Sequence, residues 1–124
     1  MKADRDLNKL DATFRNKLEA VICDLVGHGI KLFVTEGWRS VERQWWLYAQ
    51  GRTRKGPVVS YRDGANSKSM HQSGKAADIA FRGARLYPPG DSPAWKLLAS
   101  SAKAHGLEWG GTWRFKDLPH LQMP

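Results

Sequence analysis

One run of apolar residues constrains the fold of this chain more than any other feature. From Arg5 to about Gly27, apolar side chains recur at steps of three and four, as one face of an α-helix requires. They are Leu7, Leu10, Phe14, Leu18, Val21, Ile22 and Leu25. Gly27 and Gly29 supply a stop, because glycine tolerates the left-handed conformation common just after a helix. The run predicts an amphipathic helix.

Shorter elements follow this helix. Residues 31–35 are typical of a short strand, and Ser40 is the predicted N-cap of a second helix that ends at Gly51. The predicted apolar side chains of this helix are Val41, Trp45, Leu47 and Tyr48. The stretch between Gly51 and Ser69 has little periodicity and is longer than most connections in a compact domain. It predicts a functional or mobile loop.

The second half of the chain alternates strands and helices irregularly. Its predicted elements are a strand at 76–81, a third helix from about 92 to 105, and two short strands around 108–109 and 120–122. Asp91 or Ser92 is the expected cap of the helix, with Pro93 in its first turn. The order of elements favours an α+β domain, in which about three helices pack on a small, mainly antiparallel sheet.

Length and composition narrow the class of protein. A chain of 124 residues, 41% hydrophobic and 26% charged, predicts one globular domain. Apolar runs are too short for a membrane span, and the N-terminus lacks the apolar segment of a secretory signal. A net charge of +8 implies attraction to a polyanion such as nucleic acid, lipopolysaccharide or an anionic cell-wall polymer. The single cysteine, Cys23, excludes an intramolecular disulfide and a cysteine-based zinc site.

Any metal must therefore be held by histidines and carboxylates. His71 and Asp78 are seven residues apart, a spacing that suits a loop turning at Gly74 into a strand. His120 is the third predicted ligand. Pro119 favours extended backbone just before it, so this segment should enter a strand. Zinc sites of catalytic type hold three protein ligands and leave one position open.

Two further residues have the chemistry that amide hydrolysis needs. Asp117 lies three residues before His120, where a carboxylate is expected to take a proton from the zinc-bound water. Arg39 is the predicted source of positive charge for the developing oxyanion. Two alternatives stay open here. Glu108 is a rival base, and Arg39 could simply form an ion pair with Glu36 or Glu42.

Four segments together resemble a known family, in the same order and over nearly the whole chain. They are Glu36-Gly37-Trp38-Arg39-Ser40-x-Glu42-Arg43-Gln44, residues 47–53, Ser69-x-His71-x-x-Gly74-x-Ala76-x-Asp78, and Leu107-Glu108-Trp109-Gly110-Gly111 followed by Asp117-Leu118-Pro119-His120-Leu121-Gln122. The sequence resembles the L-alanyl-D-glutamate peptidases of bacteriophage endolysins. Those share the Hedgehog/DD-peptidase fold with D-Ala-D-Ala carboxypeptidases and dipeptidases.

The resemblance implies roles for individual residues. His71, Asp78 and His120 match the zinc ligands, and Asp117 matches the catalytic acid/base. Arg39 matches an arginine that faces the substrate carbonyl, and Ser69 a position near the substrate backbone. The implied reaction is hydrolysis of the peptidoglycan stem peptide after L-alanine. Thr112 and Trp38 depart from the residues frequent in the family, which affects local substrate contacts more than the metal site.

Three functional hypotheses follow. The first is a monomeric phage endolysin that has no separate wall-binding domain and binds no nucleic acid. It would be made in the host cytoplasm, without a signal peptide, and released to the wall with the help of a holin. The second keeps the zinc site but makes the protein a D,D- or L,D-carboxypeptidase of wall maturation. The third is a non-catalytic, metal-stabilised module that binds the wall or nucleic acid.

Overall fold

The structure, a computed structural model, describes residues 1–83 and 85–124. Its helices are α1 (Ala12–Gly27), α2 (Val41–Ala49) and α3 (Pro93–Ala104), and its strands are β1 (Leu32–Glu36), β2 (Ala76–Phe81), β3 (Glu108–Trp109) and β4 (His120–Gln122). Short 3-10 turns lie at Leu7–Lys9, Met70–Ser73 and Gly110–Thr112. The four strands form one antiparallel sheet in the order β1-β2-β4-β3, which confirms the predicted α+β class.

Helix α1 begins later than predicted. The Asp11 carboxylate accepts a hydrogen bond from the Phe14 amide at 3.0 Å and caps a helix that starts at Ala12. Leu10, just before the cap, has extended backbone, although its side chain keeps the helical spacing and is buried. Aspartate favours such caps because its short side chain bonds to nearby amides. The apolar spacing therefore runs on through a segment that is not helical.

Helix α2 has the predicted cap, ends at Ala49 instead of the predicted Gly51, and presents a different face to the core. Ser40 Oγ accepts from the Arg43 amide at 3.0 Å, as a capping serine should. Val41 and Trp45 are 45% and 57% exposed, whereas Gln44 is completely buried. Val41 and Trp45, two of the four predicted apolar side chains of this helix, therefore lie outside the core. The buried polar side chain is tolerated because its amide is fully hydrogen-bonded, as described below.

Helices α1 and α3 pack against each other and cover one face of the sheet. The core is made of buried apolar side chains: Leu10, Phe14, Leu18, Val21, Leu25, Leu32, Val34, Ala77, Ile79, Phe81, Trp95, Leu98, Ala102, Leu107 and Leu121. Side chains alternate along a strand, so Asp78 lies on the face of β2 opposite to Ala77 and Ile79. Nowhere in the described ranges is there a helix with the length and apolarity needed to cross a bilayer.

A bulge in β1 adds a second acidic residue to the face that carries Asp78. Val34 pairs with Ile79 on the core side, but the register shifts after Val34, so that Glu36 pairs with Asp78. A bulge inserts one residue and thereby reverses the alternation of faces. Asp78 also pairs with His120 across the other edge of β2. The sheet register thus places Asp78 between Glu36 and His120.

Candidate metal centre

The three predicted ligands meet on this face of the sheet. His71 comes from the 3-10 turn before β2, Asp78 from the middle of β2, and His120 from the first position of β4. One ligand atom from each residue lies within 4.8 Å of the other two. Asp78 Oδ2 is 3.6 Å from His71 Nε2, and Asp78 Oδ1 is 3.2 Å from His120 Nδ1. Two imidazoles and one carboxylate therefore converge, in a donor set that suits zinc.

Local hydrogen bonds explain why His71 faces this cluster. Ser69 Oγ accepts from the His71 amide at 3.3 Å, and the Gln72 side chain accepts from the Ser69 amide at 2.9 Å. Gly74 ends the turn with φ of 71°, and a Cβ at that position would lie 2.9 Å from the Asp11 amide nitrogen. The turn therefore requires glycine. Ser69, the predicted substrate contact, here caps the turn with its hydroxyl oxygen.

A hydrogen bond to the backbone fixes the orientation of the His71 ring. Its Nδ1 lies 2.8 Å from the carbonyl oxygen of Gly37, which can only accept a hydrogen bond. Nδ1 must therefore carry a proton, and Nε2 is the ring nitrogen that faces Asp78 and could bind a metal. Metal-binding histidines commonly use the second nitrogen for this kind of orienting bond.

The charge state of Asp78 is set by its two histidine neighbours. Burial disfavours the carboxylate, but hydrogen bonds and positive charge from His120 and His71 outweigh it and hold the pKa of Asp78 far below its usual value. The pKa of His120 is raised in turn. Burial alone would lower it, but Asp78 opposes that effect. In the metal-free protein, the cluster is therefore stabilised as a charge pair.

Asp117 lies at the edge of this cluster. One of its carboxylate oxygens is 3.9 Å from His120 Nδ1, and the side chain is half exposed. Burial and the negative charge of Asp78 raise the pKa of Asp117. Its amide donates to the Gly110 carbonyl at 2.9 Å, and a Cβ on Gly110 would lie 2.3 Å from the Asp117 carbonyl oxygen. The glycine thus allows the close approach that places this carboxylate.

Arg39 is fixed beside the cluster by three hydrogen bonds to two residues. Its Nε and Nη2 donate to the two Glu36 oxygens at 3.1 and 2.9 Å, and its Nη1 donates to Gln44 Oε1 at 2.9 Å. Nη2 is 3.8 Å from Asp78 Oδ2. Of the two ion-pair partners that the sequence left open for Arg39, Glu36 is the one it contacts. The Arg39 guanidinium therefore lies at the edge of the cluster formed by His71, Asp78 and His120.

Sequence reasoning missed the role of Gln44. Its Nε2 donates to Ser60 Oγ and to the Arg62 carbonyl at 2.8 and 2.7 Å, so it links the long loop to Arg39. Nothing in the spacing of apolar residues distinguishes it from a surface glutamine. Only the arrangement of the distant loop reveals it.

The remaining candidates lie outside the ligand set. Glu108, the rival base, is exposed and accepts a hydrogen bond from Gln122 Nε2 at 2.9 Å. His105 Nε2 is 2.8 Å from Asp24 Oδ2, between the ends of α1 and α3. Trp113 stands beside the cluster, with its ring centroid 5.0 Å from that of His120.

Comparisons with known proteins show the family of this chain. The family model described as D-alanyl-D-alanine carboxypeptidase matches residues 62–123, which include His71, Asp78, Asp117 and His120. The chain is 37% identical over 119 residues to the peptidoglycan L-alanyl-D-glutamate endopeptidase CwlK of Bacillus subtilis. That match covers 88% of this chain and 70% of CwlK.

Solved structures share the fold. The L-Ala D-Glu endopeptidase ChiX of Serratia marcescens superposes with a TM-score of 0.67 at 21% identity, covering 99% of this chain and 86% of ChiX. DacB of Streptococcus pneumoniae gives 0.71 at 20% identity, covering 98% and 70%. The D,D-pentapeptidase VanY of a VanB-type resistance cassette, solved with Zn(II), gives 0.67 at 15% identity, covering 92% and 72%. The family match and the identity with CwlK show that the chain belongs to the M15 peptidase family and is a metallopeptidase.

Proposed function

We propose that this protein is a zinc-dependent peptidoglycan endopeptidase that hydrolyses the L-alanyl-D-glutamate bond of the stem peptide. The chemistry rests on one observation, the convergence of His71, Asp78 and His120 with the Asp117 carboxylate 3.9 Å from His120 Nδ1. The choice of bond rests on the 37% identity with CwlK, whose name states that activity.

The donor set favours zinc over other common ions. Calcium and magnesium bind mainly oxygen atoms, whereas two of the three ligand atoms here are imidazole nitrogens. Zinc accepts two histidines and one carboxylate and keeps a further position open in catalytic sites. His71 would bind through Nε2 and His120 through Nδ1, the atoms that face Asp78. When bound, zinc supplies Lewis acidity that polarises a substrate carbonyl and makes water more acidic.

The chain's own residues supply the remaining chemistry. Asp117 accepts the proton of the attacking water and passes it to the departing amine. Its raised pKa suits that exchange, because a base is most effective when its pKa lies near the working pH. The Arg39 guanidinium stabilises negative charge on the carbonyl oxygen. The Ser69 hydroxyl hydrogen remains available to donate to the substrate backbone, since its oxygen accepts from His71.

The sequence resemblance to endolysins supports a role in lysis from the host cytoplasm. The net charge of +8 supports attraction to the anionic polymers of the wall, which would keep the enzyme near its substrate. We assign no nucleic-acid partner.

Digestion of purified peptidoglycan tests the proposal. Mass spectrometry of the products should find glycan-linked stems that end in L-alanine and released peptides that begin with D-glutamate. A chelator should stop the reaction, and added zinc should restore it. The family description as D-alanyl-D-alanine carboxypeptidase favours one rival, which would release only a C-terminal D-alanine. Release of D-alanine alone would show a carboxypeptidase instead of the proposed endopeptidase. The absence of any cleavage would favour the non-catalytic binding module.

A further inference from the structure

The imidazole of His120 has a second contact, on the side facing away from the ligand cluster. Its Nε2 lies 2.8 Å from the side-chain oxygen Oε1 of Gln122. The two residues are separated by one position in β4, so their side chains project from the same face of the strand. Strand geometry therefore holds this contact in place.

Glu108 determines which way the Gln122 amide points. Gln122 Nε2 lies 2.9 Å from Glu108 Oε2, and a carboxylate oxygen accepts from an amide NH2. The amide nitrogen therefore faces Glu108 and the amide oxygen faces His120. The two residues are direct cross-strand partners between β3 and β4, so the backbone register fixes their contact.

This orientation has a consequence for the protons of His120. An amide oxygen only accepts hydrogen bonds, so His120 Nε2 must carry the proton of that bond. A neutral imidazole has one protonated nitrogen, and Nδ1 is then left with its lone pair. Nδ1 is the atom 3.2 Å from Asp78 Oδ1, on the ligand side of the ring.

We propose that Glu108 and Gln122 form a positioning relay that holds His120 in the tautomer able to give Nδ1 to the metal. Glu108 orients the Gln122 amide, and Gln122 holds the Nε2 proton. Neither residue touches substrate or reacting atoms. The inference rests on the proposed metal site and adds two residues outside the predicted ligand set. It also gives Glu108, named above as a rival base, a positioning role.

Zinc affinity separates this role from simple packing. In Gln122→Met the side chain keeps its length and loses its acceptor, so zinc should bind about 10- to 100-fold more weakly in competition with a chromophoric chelator. The double variant Glu108→Gln/Gln122→Glu exchanges the two groups: residue 122 keeps an acceptor oxygen for His120, and the amide at 108 donates to it, so zinc affinity should stay close to wild type. Gln50→Met makes the same chemical change at a glutamine whose side chain bonds to the Pro57 carbonyl and to Arg54, and it should bind zinc normally.

The proton itself provides a second readout, independent of activity. In 15N NMR spectra of the zinc-loaded wild type, the His120 Nε2 proton should be protected from exchange with water. That protection should be lost in Gln122→Met and kept in the exchanged pair Glu108→Gln/Gln122→Glu. If Gln122→Met does not fold, Glu108→Ala tests the same relay, because a freed amide should weaken both zinc binding and proton protection.

The outcomes are distinguishable. Wild-type zinc affinity and a protected Nε2 proton in Gln122→Met would overturn the relay and leave the metal site standing. Equal loss in Gln122→Met and in the exchanged pair Glu108→Gln/Gln122→Glu would also overturn it, since the loss would then not follow the hydrogen bonds of the relay. A wild-type protein that takes up no zinc would overturn the proposed function itself.

Discussion

Asp78 and His120 face each other as direct partners across β2 and β4, with Asp78 Oδ1 3.2 Å from His120 Nδ1. The contact joins residues 42 positions apart in the sequence, and it exists because the two strands pair in one register. A slip of one residue would move one of the two side chains to the core face. The proposed metal centre therefore depends on the register of a three-residue strand, and the following predictions depend on that proposed centre.

Replacing Asp117 by Ala should remove turnover and leave the metal. Loss of a general base lowers kcat by about 10²- to 10⁴-fold, while the three zinc ligands remain in place. The measurement is peptidoglycan hydrolysis together with zinc content by atomic absorption. Asp91→Asn, which changes an exposed carboxylate before α3, serves as the control and should retain both properties. Retained turnover in Asp117→Ala would refute the assignment of the base.

Ionisation of Asp117 should destabilise the folded, metal-free protein in a pH-dependent way. Its folded-state pKa is raised by burial and by Asp78, so folding favours the protonated form. The stabilisation is complete below the unfolded value of 3.8 and is lost as pH rises through the folded pKa. At neutral pH, Asp117→Asn should therefore raise the Tm of the metal-free protein, and the difference should vanish below that value. A lower Tm for Asp117→Asn at neutral pH would contradict the electrostatic account.

Arg39 should not be replaceable by lysine. Burial opposes ionisation of Glu36, but hydrogen bonds from Arg39 and Arg43 prevail and lower its pKa. Lysine keeps the charge but cannot donate to Glu36 and Gln44 together, as the planar fork does. Arg39→Lys should lower kcat about 10²- to 10³-fold if the guanidinium stabilises the oxyanion. Arg39→Ala should destabilise the fold by about 1–3 kcal/mol in urea unfolding, since Glu36 and Gln44 lose a buried hydrogen-bond donor while Arg43 still pairs with Glu36.

One control variant serves both the rate and the stability effect of Arg39. Arg15→Lys changes an exposed ion pair with Glu19 on α1 and should alter neither rate nor stability. An Arg39→Lys enzyme with full kcat would limit Arg39 to a structural ion pair.

Cleavage of intact wall should weaken as salt rises. The net charge of +8 attracts anionic wall polymers, and mobile ions screen that attraction over about 10 Å at 0.1 M. Hydrolysis rates of purified walls and of a short, neutral stem-peptide substrate should be compared across a salt series. The wall reaction should slow and the peptide reaction should change little. Equal salt dependence for both substrates would refute an electrostatic contribution from the protein surface.

Local signals explain which parts of the fold could be predicted. The cap at Ser92, Pro93 in the first turn and Gly106 after the end define α3 within its own sequence, and the structure confirms that helix at Pro93–Ala104. The start of α1 was missed because Leu7 and Leu10 keep the helical spacing, although the helix begins only after its cap at Asp11. Capping competes with periodicity, and the apolar pattern alone does not reveal which prevails.

The candidate site likewise contains residues that local sequence signals predict and residues whose roles depend on long-range contacts. Residue types, spacing and the resemblance to known peptidases point to His71, Asp78 and His120. The inward turn of Gln44 depends on Arg39, Ser60 and Arg62, and the role of Gln122 depends on its cross-strand partner. Such contacts form between segments distant in sequence. They follow from strand register and loop position, which the sequence pattern does not contain.

Anomalous X-ray diffraction at the zinc edge, from crystals grown with zinc, tests the central claim most directly. We expect one strong peak, bound by His71 Nε2, an Asp78 carboxylate oxygen and His120 Nδ1. A site without a peak, or zinc held only at Asp24 and His105 between α1 and α3, would contradict the proposed metal centre.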